Sequence, residues 1–463
     1  MTYLTLKLKI TALSNLKRRR TRDLPVHTNM AEPLPALFSP LLLPCGLTLR
    51  NRVVRAAAFA GSSVAATAAT LAEAAAGGVA MCTLAYTSVS LDGRTFAEQV
   101  LLTPSQAPPD LASVARAVHA QGALLCIQLT HAGGFAERGL FPTPARAVAP
   151  SALFDLATLG FPRAATEEDM DRLCGDFAAA AATAVGAGEA DGVELHLGHG
   201  YLLSQWLSPA TNTRSDAHGG SAQARAAFPL RCARAVRAAI GPRKALVIKL
   251  NTEDGFPGGV SPSDVAITVR ALCAEAGLVD AIVPSAGWVN KNGFFMLRGR
   301  VPRAGMVRAL ARTSLLKAGA LALLGRWLVP ELPFSPEFLM QGARAVLATA
   351  RQANPGVAVL AVGGFVDAAG VEGALEEGFS GVQMARALIR EPALLARWRE
   401  EAGAARGAGA CQPSPCSHCN LCVLAALQGA RGSPRCAERP AEPVDVEDAA
   451  GPGAAAPQKG AGQ

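Results

Sequence analysis

Residues 192–201 read GVELHLGHGY, a short apolar run that ends in two histidines and a tyrosine. Such a run is typical of a parallel strand buried on both faces, with its polar side chains where the strand ends. His196 and His199 can both donate a hydrogen bond to one substrate oxygen, and Tyr201 follows closely enough to give a proton. A lone histidine more often hydrogen-bonds backbone in a core. Two histidines and a tyrosine at one strand end favour catalysis instead.

Similar apolar runs recur along the chain and alternate with segments that read as helices. The eight runs lie at 53–58, 79–85, 124–130, 192–197, 246–251, 281–285, 357–363 and 381–387. Helices are predicted at 111–121, 167–187, 222–240, 262–277 and 367–378, with Ser221 and Asp367 as N-caps. This alternation predicts an α/β chain folded as a single (β/α)₈ TIM barrel, whose reactive groups lie where the strands end.

The connection between the sixth and seventh strands, residues 288–354, is too long to lack structure of its own. Its segment 315–329 is apolar but carries Lys317 and Arg326, and it is shorter than the ~20 residues that span a bilayer. We interpret it as a buried or interfacial helix. Together with Phe294 and Phe295, it suggests a cap over the barrel mouth.

The composition and charge of the chain suit a globular protein with unusual ends. Hydrophobic residues make up 50% and charged residues 17% of its 463 residues, and the net charge is +8. Residues 1–29 hold seven Lys/Arg against one acid, so the remainder is close to neutral. We expect a basic, disordered or targeting arm at 1–29, a barrel domain at 30–400, and a Cys-rich segment with a disordered tail at 401–463.

The basic arm has three open interpretations: an organelle transit peptide, a basic localisation patch, or a start upstream of Met30 without consequence. The expected location is the cytoplasm, or a mitochondrion or plastid if the arm is a transit peptide. Because the arm lacks interleaved aromatic residues, we expect no nucleic-acid partner. We also expect no membrane partner, and a homo-oligomer stays open.

Several motifs carry a resemblance to a known family. They are LFSP at 37–40, LTLRNR at 47–52, QLTHAG at 128–133 and GHGYLLSQWLSP at 198–209. In these motifs the chain resembles the Old Yellow Enzyme family of NADH:flavin oxidoreductases, and more narrowly its 2,4-dienoyl-CoA reductase-like branch. The resemblance covers about 37–397. It implies a flavoprotein in which FMN carries hydride from NAD(P)H to an electron-poor alkene, as in an ene-reductase acting on a small enone or enoyl compound.

The resemblance also implies roles for individual residues. His196 and His199 would polarise the substrate carbonyl, and Tyr201 would protonate the alkene. Gln128 would hydrogen-bond the pyrimidine edge of the flavin, because an amide both donates and accepts. Lys249 would lie beside flavin N1 and O2; a buried structural lysine is the alternative, although lysine is seldom buried without an anion.

Further positions are assigned to FMN in the same way. The phosphate site would consist of Gly363, Gly364, Ala385 and Arg386, where small residues let backbone N–H groups approach and Arg386 adds a planar fork. A Gly-Gly pair alone is more often only a turn.

The resemblance also assigns Ala57 to the FMN site. This residue follows the first strand, where the family usually carries a segment with proline and methionine. Tyr86 either lines the flavin or is an ordinary aromatic residue of the barrel mouth. The altered first-strand segment motivates an alternative function, a catalytically silent flavin-binding or redox-sensing barrel.

Four cysteines near the C-terminus, Cys416, Cys419, Cys422 and Cys436, have the spacing of metal ligands. The resemblance points to a [4Fe–4S] cluster, but the relatives place three residues between the second and third ligands and this chain has two. A [4Fe–4S] cluster, a zinc ion and no metal therefore stay open.

Overall fold

The computed structural model describes residues 35–58, 63–96, 99–136, 147–155, 160–312, 314–405, 407, 409, 411–427 and 436–439. The predicted basic arm at 1–29 and the end of the predicted tail, residues 440–463, lie outside the described residues.

Eight parallel strands close into a barrel in chain order, and the last strand pairs with the first. They are β1 Val53–Arg55, β2 Met81–Ser88, β3 Leu124–Thr130, β4 Gly192–Leu197, β5 Ala245–Asn251, β6 Ala281–Ser285, β7 Ala358–Val362 and β8 Gly381–Met384. Each corresponds to one predicted apolar run. The predicted (β/α)₈ barrel is therefore confirmed.

A helix follows each strand and packs outside the barrel. The eight are α1 Val64–Ala76, α2 Leu111–His119, α3 Glu167–Val185, α4 Ala222–Ile240, α5 Pro262–Ala274, α6 Met340–Ala353, α7 Ala368–Glu376 and α8 Leu394–Ala405. Both predicted N-caps are present, because Ser221 accepts from the Ala224 N–H and Asp367 accepts from the Gly370 N–H. These caps satisfy helix N–H groups that lack a partner within the helix.

Alternation along the strands decides what faces the barrel interior. In β4, Val193 and Leu195 belong to the apolar layer between strands and helices, whereas Glu194 and His196 have the opposite parity. The amino-terminal end of the barrel is filled by a second apolar cluster that includes Val247 and the buried residues Leu41 and Leu49 of the antiparallel strand pair Leu41–Leu42 and Thr48–Leu49. The polar interior residues therefore lie towards the carboxyl ends of the strands.

The connection between β6 and β7 forms three further helices, Val289–Asn292, Arg303–Ala311 and Leu315–Leu328, before α6. The last of them is buried through Ala318 and Leu321, yet Leu323 and Trp327 are exposed. The structure thus favours the interfacial over the buried interpretation of this segment. Within the described part of the chain, no helix has both the length and the apolar character that a membrane crossing requires.

Candidate active site

Three side chains form a hydrogen-bonded row at the carboxyl ends of β4 and β6. His196 Nε2 lies 2.9 Å from His199 Nδ1, and His199 Nε2 lies 2.8 Å from Ser285 Oγ. The Asn251 side chain accepts a hydrogen bond from the His199 N–H at 2.9 Å. His199 has a positive φ of 58°, a left-handed conformation that the contact with Asn251 helps to hold.

His196 Nδ1 is the free end of this row. The atom is buried and has no hydrogen-bond partner among the described residues. Buried polar atoms in folded proteins are nearly always paired, and each exception calls for a reason such as a ligand. The row therefore ends in a group that is available to a bound molecule.

Both histidines are held in the neutral form. Burial lowers the pKa of His196 well below its usual value, and the nearby His199 and Lys249 lower it further. The pKa of His199 is lowered to about 3 by burial and by Lys249. Lys249 pairs in register with His196 across β4 and β5, which explains its influence. Neutral imidazoles can donate a hydrogen bond without giving up a proton.

A buried polar layer, which we call the interior quartet, lies next to this row and consists of Gln128, Glu194, Lys249 and Gln383. Lys249 Nζ donates to Glu194 Oε1 at 3.1 Å and to Gln383 Oε1 at 2.8 Å. The amides of Gln128 and Gln383 donate to Glu194 at 2.6 Å and 2.9 Å. The carboxylate and the ammonium are thus both paired, as burial of charge requires.

Tyr201 lies beside the histidines and within an aromatic cluster. Its ring centre is 4.6 Å from that of His196, and 5.3 Å from those of Tyr86 and Phe135. Burial, with the adjacent Tyr86, raises the pKa of Tyr201 well above its usual value. The phenol therefore remains protonated and is equipped to act as a proton donor. The structure brings His196, His199 and Tyr201 together, as the sequence predicts; their catalytic roles stay predictions.

The predicted phosphate-binding residues lie where β7 and β8 end. Gly363 and Gly364 have φ values of 107° and 90°, which side chains rarely adopt. A Cβ on Gly364 would lie 2.6 Å from the Glu337 backbone nitrogen. Arg386 Nη1 donates to the Arg298 carbonyl at 3.0 Å and to Asn420 Oδ1 at 2.8 Å. The insertion and the Cys-rich segment therefore meet at this end of the barrel.

The remaining predicted site residues are more scattered. Ala57 is half-buried just after β1, and Ala385 is the residue before the short helix that Arg386 begins. The four predicted metal-ligand cysteines are all half-buried. Within the described residues, no three His, Cys, Asp or Glu side chains are arranged to hold a metal ion. A metal at this segment is therefore not shown.

Four site residues were missed by the sequence interpretation: Glu194, Gln383, Ser285 and Asn251. Glu194 stands two residues before His196, so strand alternation places both in the interior. Gln383 is the single polar residue of β8, and Ser285 and Asn251 are the last residues of their strands. All four could have been found by listing the polar residues at the strand positions that face the barrel interior and at the ends of the strands.

The neutral state of His199 gives a pH-dependent stability. An unfolded histidine takes up a proton below about pH 6.5, whereas folded His199 does so only near pH 3. Between these pH values the unfolded chain binds more protons than the folded chain. The free energy of unfolding should therefore fall as the pH is lowered from 6.5 to 3, by at most about 1.4 kcal/mol per pH unit. Above pH 6.5 this contribution is fully present.

We expect His199→Asn to remove this part of the slope, as measured by urea titrations from pH 7 to pH 4. Carboxylates contribute nearly equally to both proteins, so the difference reports on His199 together with its influence on the pKa of the neighbouring His196. Parallel curves for the two proteins would contradict a depressed pKa at His199.

The sequence profile of the "NADH:flavin oxidoreductase / NADH oxidase family" matches residues 36–291. The chain is 35% identical over 404 residues to the 4,4'-dithiodibutanoate disulfide reductase of Rhodococcus erythropolis, covering 86% of this chain and 95% of that protein. It is 39% identical over 180 residues to the metal reductase of Desulforamulus reducens; the matched part is 39% of this chain and 26% of that relative.

The barrel is also similar to solved structures. A complex of morphinone reductase with tetrahydroNAD superposes with a TM-score of 0.59 at 22% identity, covering 79% of this chain and 91% of that one. At this identity the similarity supports the fold alone.

Proposed function

Because this chain belongs to the NADH:flavin oxidoreductase / NADH oxidase family, we propose that it passes hydride from NAD(P)H through FMN to an electron-poor alkene conjugated to a carbonyl group. One observation carries the choice of acceptor: Nδ1 of His196, at the end of the histidine row, is buried and has no hydrogen-bond partner among the residues that the structure describes. A donor in such a place suits the carbonyl oxygen of an enone or enoyl compound.

The polar groups inside the barrel and at its carboxyl end are chemically suited to hold FMN. The interior quartet offers the Lys249 ammonium and the amides of Gln128 and Gln383, which suit a heterocycle with carbonyl and imine groups. Gly363, Gly364 and the Arg386 guanidinium suit a phosphate. When bound, FMN supplies reversible hydride transfer.

Protons in the histidine row follow from its hydrogen bonds. If the Ser285 hydroxyl donates to His199 Nε2, then His199 Nδ1–H donates to His196 Nε2, and His196 carries its proton on Nδ1. We assign this order because the reverse leaves a lone pair at Nδ1, which would repel a carbonyl oxygen. Ser285 thereby positions the proton of His196 through His199.

The proposed reaction then needs two events from this chain. His196 Nδ1–H polarises the acceptor carbonyl and makes the distant alkene carbon electrophilic. The Tyr201 phenol, kept protonated by its raised pKa, gives its proton to the alkene carbon next to the carbonyl. The low exposure of both residues limits competing protonation by water.

The similarity to a disulfide reductase over 95% of its length favours a second candidate acceptor, an aliphatic disulfide. Hydride attack on one sulfur breaks the S–S bond, and the departing thiolate takes a proton from Tyr201, which gives two thiols. This acceptor has no carbonyl, so it would not require the His196 donor.

The proposal is tested with purified, FMN-loaded protein under anaerobic conditions. NAD(P)H should bleach the flavin absorption, and a cyclic enone should restore it faster than a dialkyl disulfide does. Faster recovery with the disulfide would replace the first candidate by the second. Bleaching that no acceptor reverses would favour the catalytically silent flavin barrel, and protein that binds no FMN would refute all three.

A further inference from the structure

The helix Leu315–Leu328 presents an apolar face to solvent. Leu316, Leu323 and Trp327 are exposed to 82%, 85% and 86%. Together with Ala320 they follow the 4, 3, 4 spacing of one helix face. The opposite face is buried against the neighbouring helix Arg303–Ala311. Leu315, Leu324 and Leu328 widen the exposed face, which we call the leucine face.

Cations border this face on both sides. At about 100° per residue, Lys317 and Arg326 lie roughly a quarter turn to either side of the line through Leu316 and Trp327. Lysine and arginine at such positions can reach past an apolar face to charged groups at its edge. The helix therefore has an apolar centre between two cationic margins.

The charge of the surrounding segment has a single sign. Between Asp280 and Glu331 the sequence contains eight Lys/Arg and no acid. Six of the eight are exposed: Lys291, Arg300, Arg308, Arg312, Lys317 and Arg326. Outside residues 1–29 and this segment, the chain has 29 Lys/Arg against 35 Asp/Glu, a net charge of −6, so this concentration of cations is local.

We propose that the leucine face docks on an anionic lipid bilayer, with Leu316, Leu323 and Trp327 in the interfacial region and the flanking cations against lipid phosphates. Apolar area and cationic margins are the two terms that bind interfacial helices to membranes. A symmetric dimer through this face would bring the same cations together, so charge favours the lipid over a second copy. The proposal departs from the expectation of no membrane partner; the helix lies on the bilayer and does not cross it.

Tryptophan fluorescence offers a direct probe. All four tryptophans lie within the described residues, and Trp206, Trp288 and Trp398 are buried whereas Trp327 is exposed. A blue shift of emission on adding vesicles, with quenching by brominated lipid, therefore reports on Trp327 itself. Trp327→Phe should abolish the vesicle-induced change.

The decisive experiment is flotation of the whole FMN-loaded chain with vesicles of phosphatidylcholine, with or without phosphatidylglycerol. We expect at least about tenfold more protein on the anionic vesicles, and less at high salt. Leu323→Glu and the double variant Lys317→Glu/Arg326→Glu should each remove binding. Two matched controls should bind normally. Leu42→Glu changes an apolar residue that is 68% exposed but lies outside the leucine face. Arg243→Glu/Arg270→Glu removes two exposed cations outside the segment between Asp280 and Glu331.

Equal binding to both vesicle types, or none to either, would overturn the proposal. A dimer that Leu323→Glu dissociates, without any vesicle binding, would show that the face joins two copies of the chain. Enone reduction should be the same in Leu323→Glu and wild type, which separates this proposal from the proposed function.

Discussion

The double variant His196→Ala/His199→Ala is expected to reduce an enone at least about 10²–10³-fold more slowly than wild type, the loss typical of removing a donor to a developing oxyanion. Both imidazoles are neutral at physiological pH because burial lowers their pKa values, so what is lost is an aimed hydrogen bond and not a positive charge. The rate of flavin reduction by NAD(P)H should change far less, since no oxyanion develops when the dihydronicotinamide gives up hydride.

Stopped-flow absorption separates the two half-reactions. A single His119→Ala variant serves as the matched control, because His119 lies on the surface beside Asp191 and away from the histidine row. Ser285→Ala offers a finer test: it removes the hydroxyl that we propose fixes the tautomer of His199, and it should slow enone reduction without changing the affinity for FMN. An unchanged rate in the double variant would reject His196 as the carbonyl donor.

The barrel could be predicted because parallel strands buried on both faces are short, continuous apolar runs, and here eight such runs alternate with segments that read as helices. Each of the eight apolar runs became a strand, and the polar end of the run at 192–201 became the histidine row. These features depend on local sequence, because side chains alternate along a strand and the reactive groups of such a barrel lie at the carboxyl ends of its strands.

The rest depends on contacts between segments that are distant in sequence. The interior quartet joins four strands, and Gln383 reaches Glu194 across 189 residues, so no local pattern could pair them. The helix Leu315–Leu328 has apolar residues on both faces, and only packing decides that Leu321 is buried while Leu323 is exposed. Likewise, the sequence could not show that Arg386 contacts Asn420 of the Cys-rich segment.

Lys249→Met should lower the free energy of unfolding by about 3–5 kcal/mol, because it leaves the buried Glu194 carboxylate without its cation. The two glutamine amides that remain on Glu194 each donate a hydrogen bond to the carboxylate but do not neutralise its charge. A surface pair gives the matched comparison: Arg344→Met breaks the exposed ion pair with Glu377 and should cost less than about 1 kcal/mol.

Adding Glu194→Gln to Lys249→Met should restore most of the lost stability, because the neutral amide oxygen can still accept from Gln128. Its NH2 group can donate to Gln383 Oε1, which Lys249 no longer occupies, once the Gln383 amide turns over. Urea unfolding should show this rescue with and without added FMN, because the ion pair belongs to the protein itself. If Lys249→Met is as mild as Arg344→Met, the pair contributes little to the fold. If Glu194→Gln gives no rescue, Lys249 stabilises the barrel by packing and not by charge. In either case the charge balance of the interior quartet would not be what stabilises this part of the barrel.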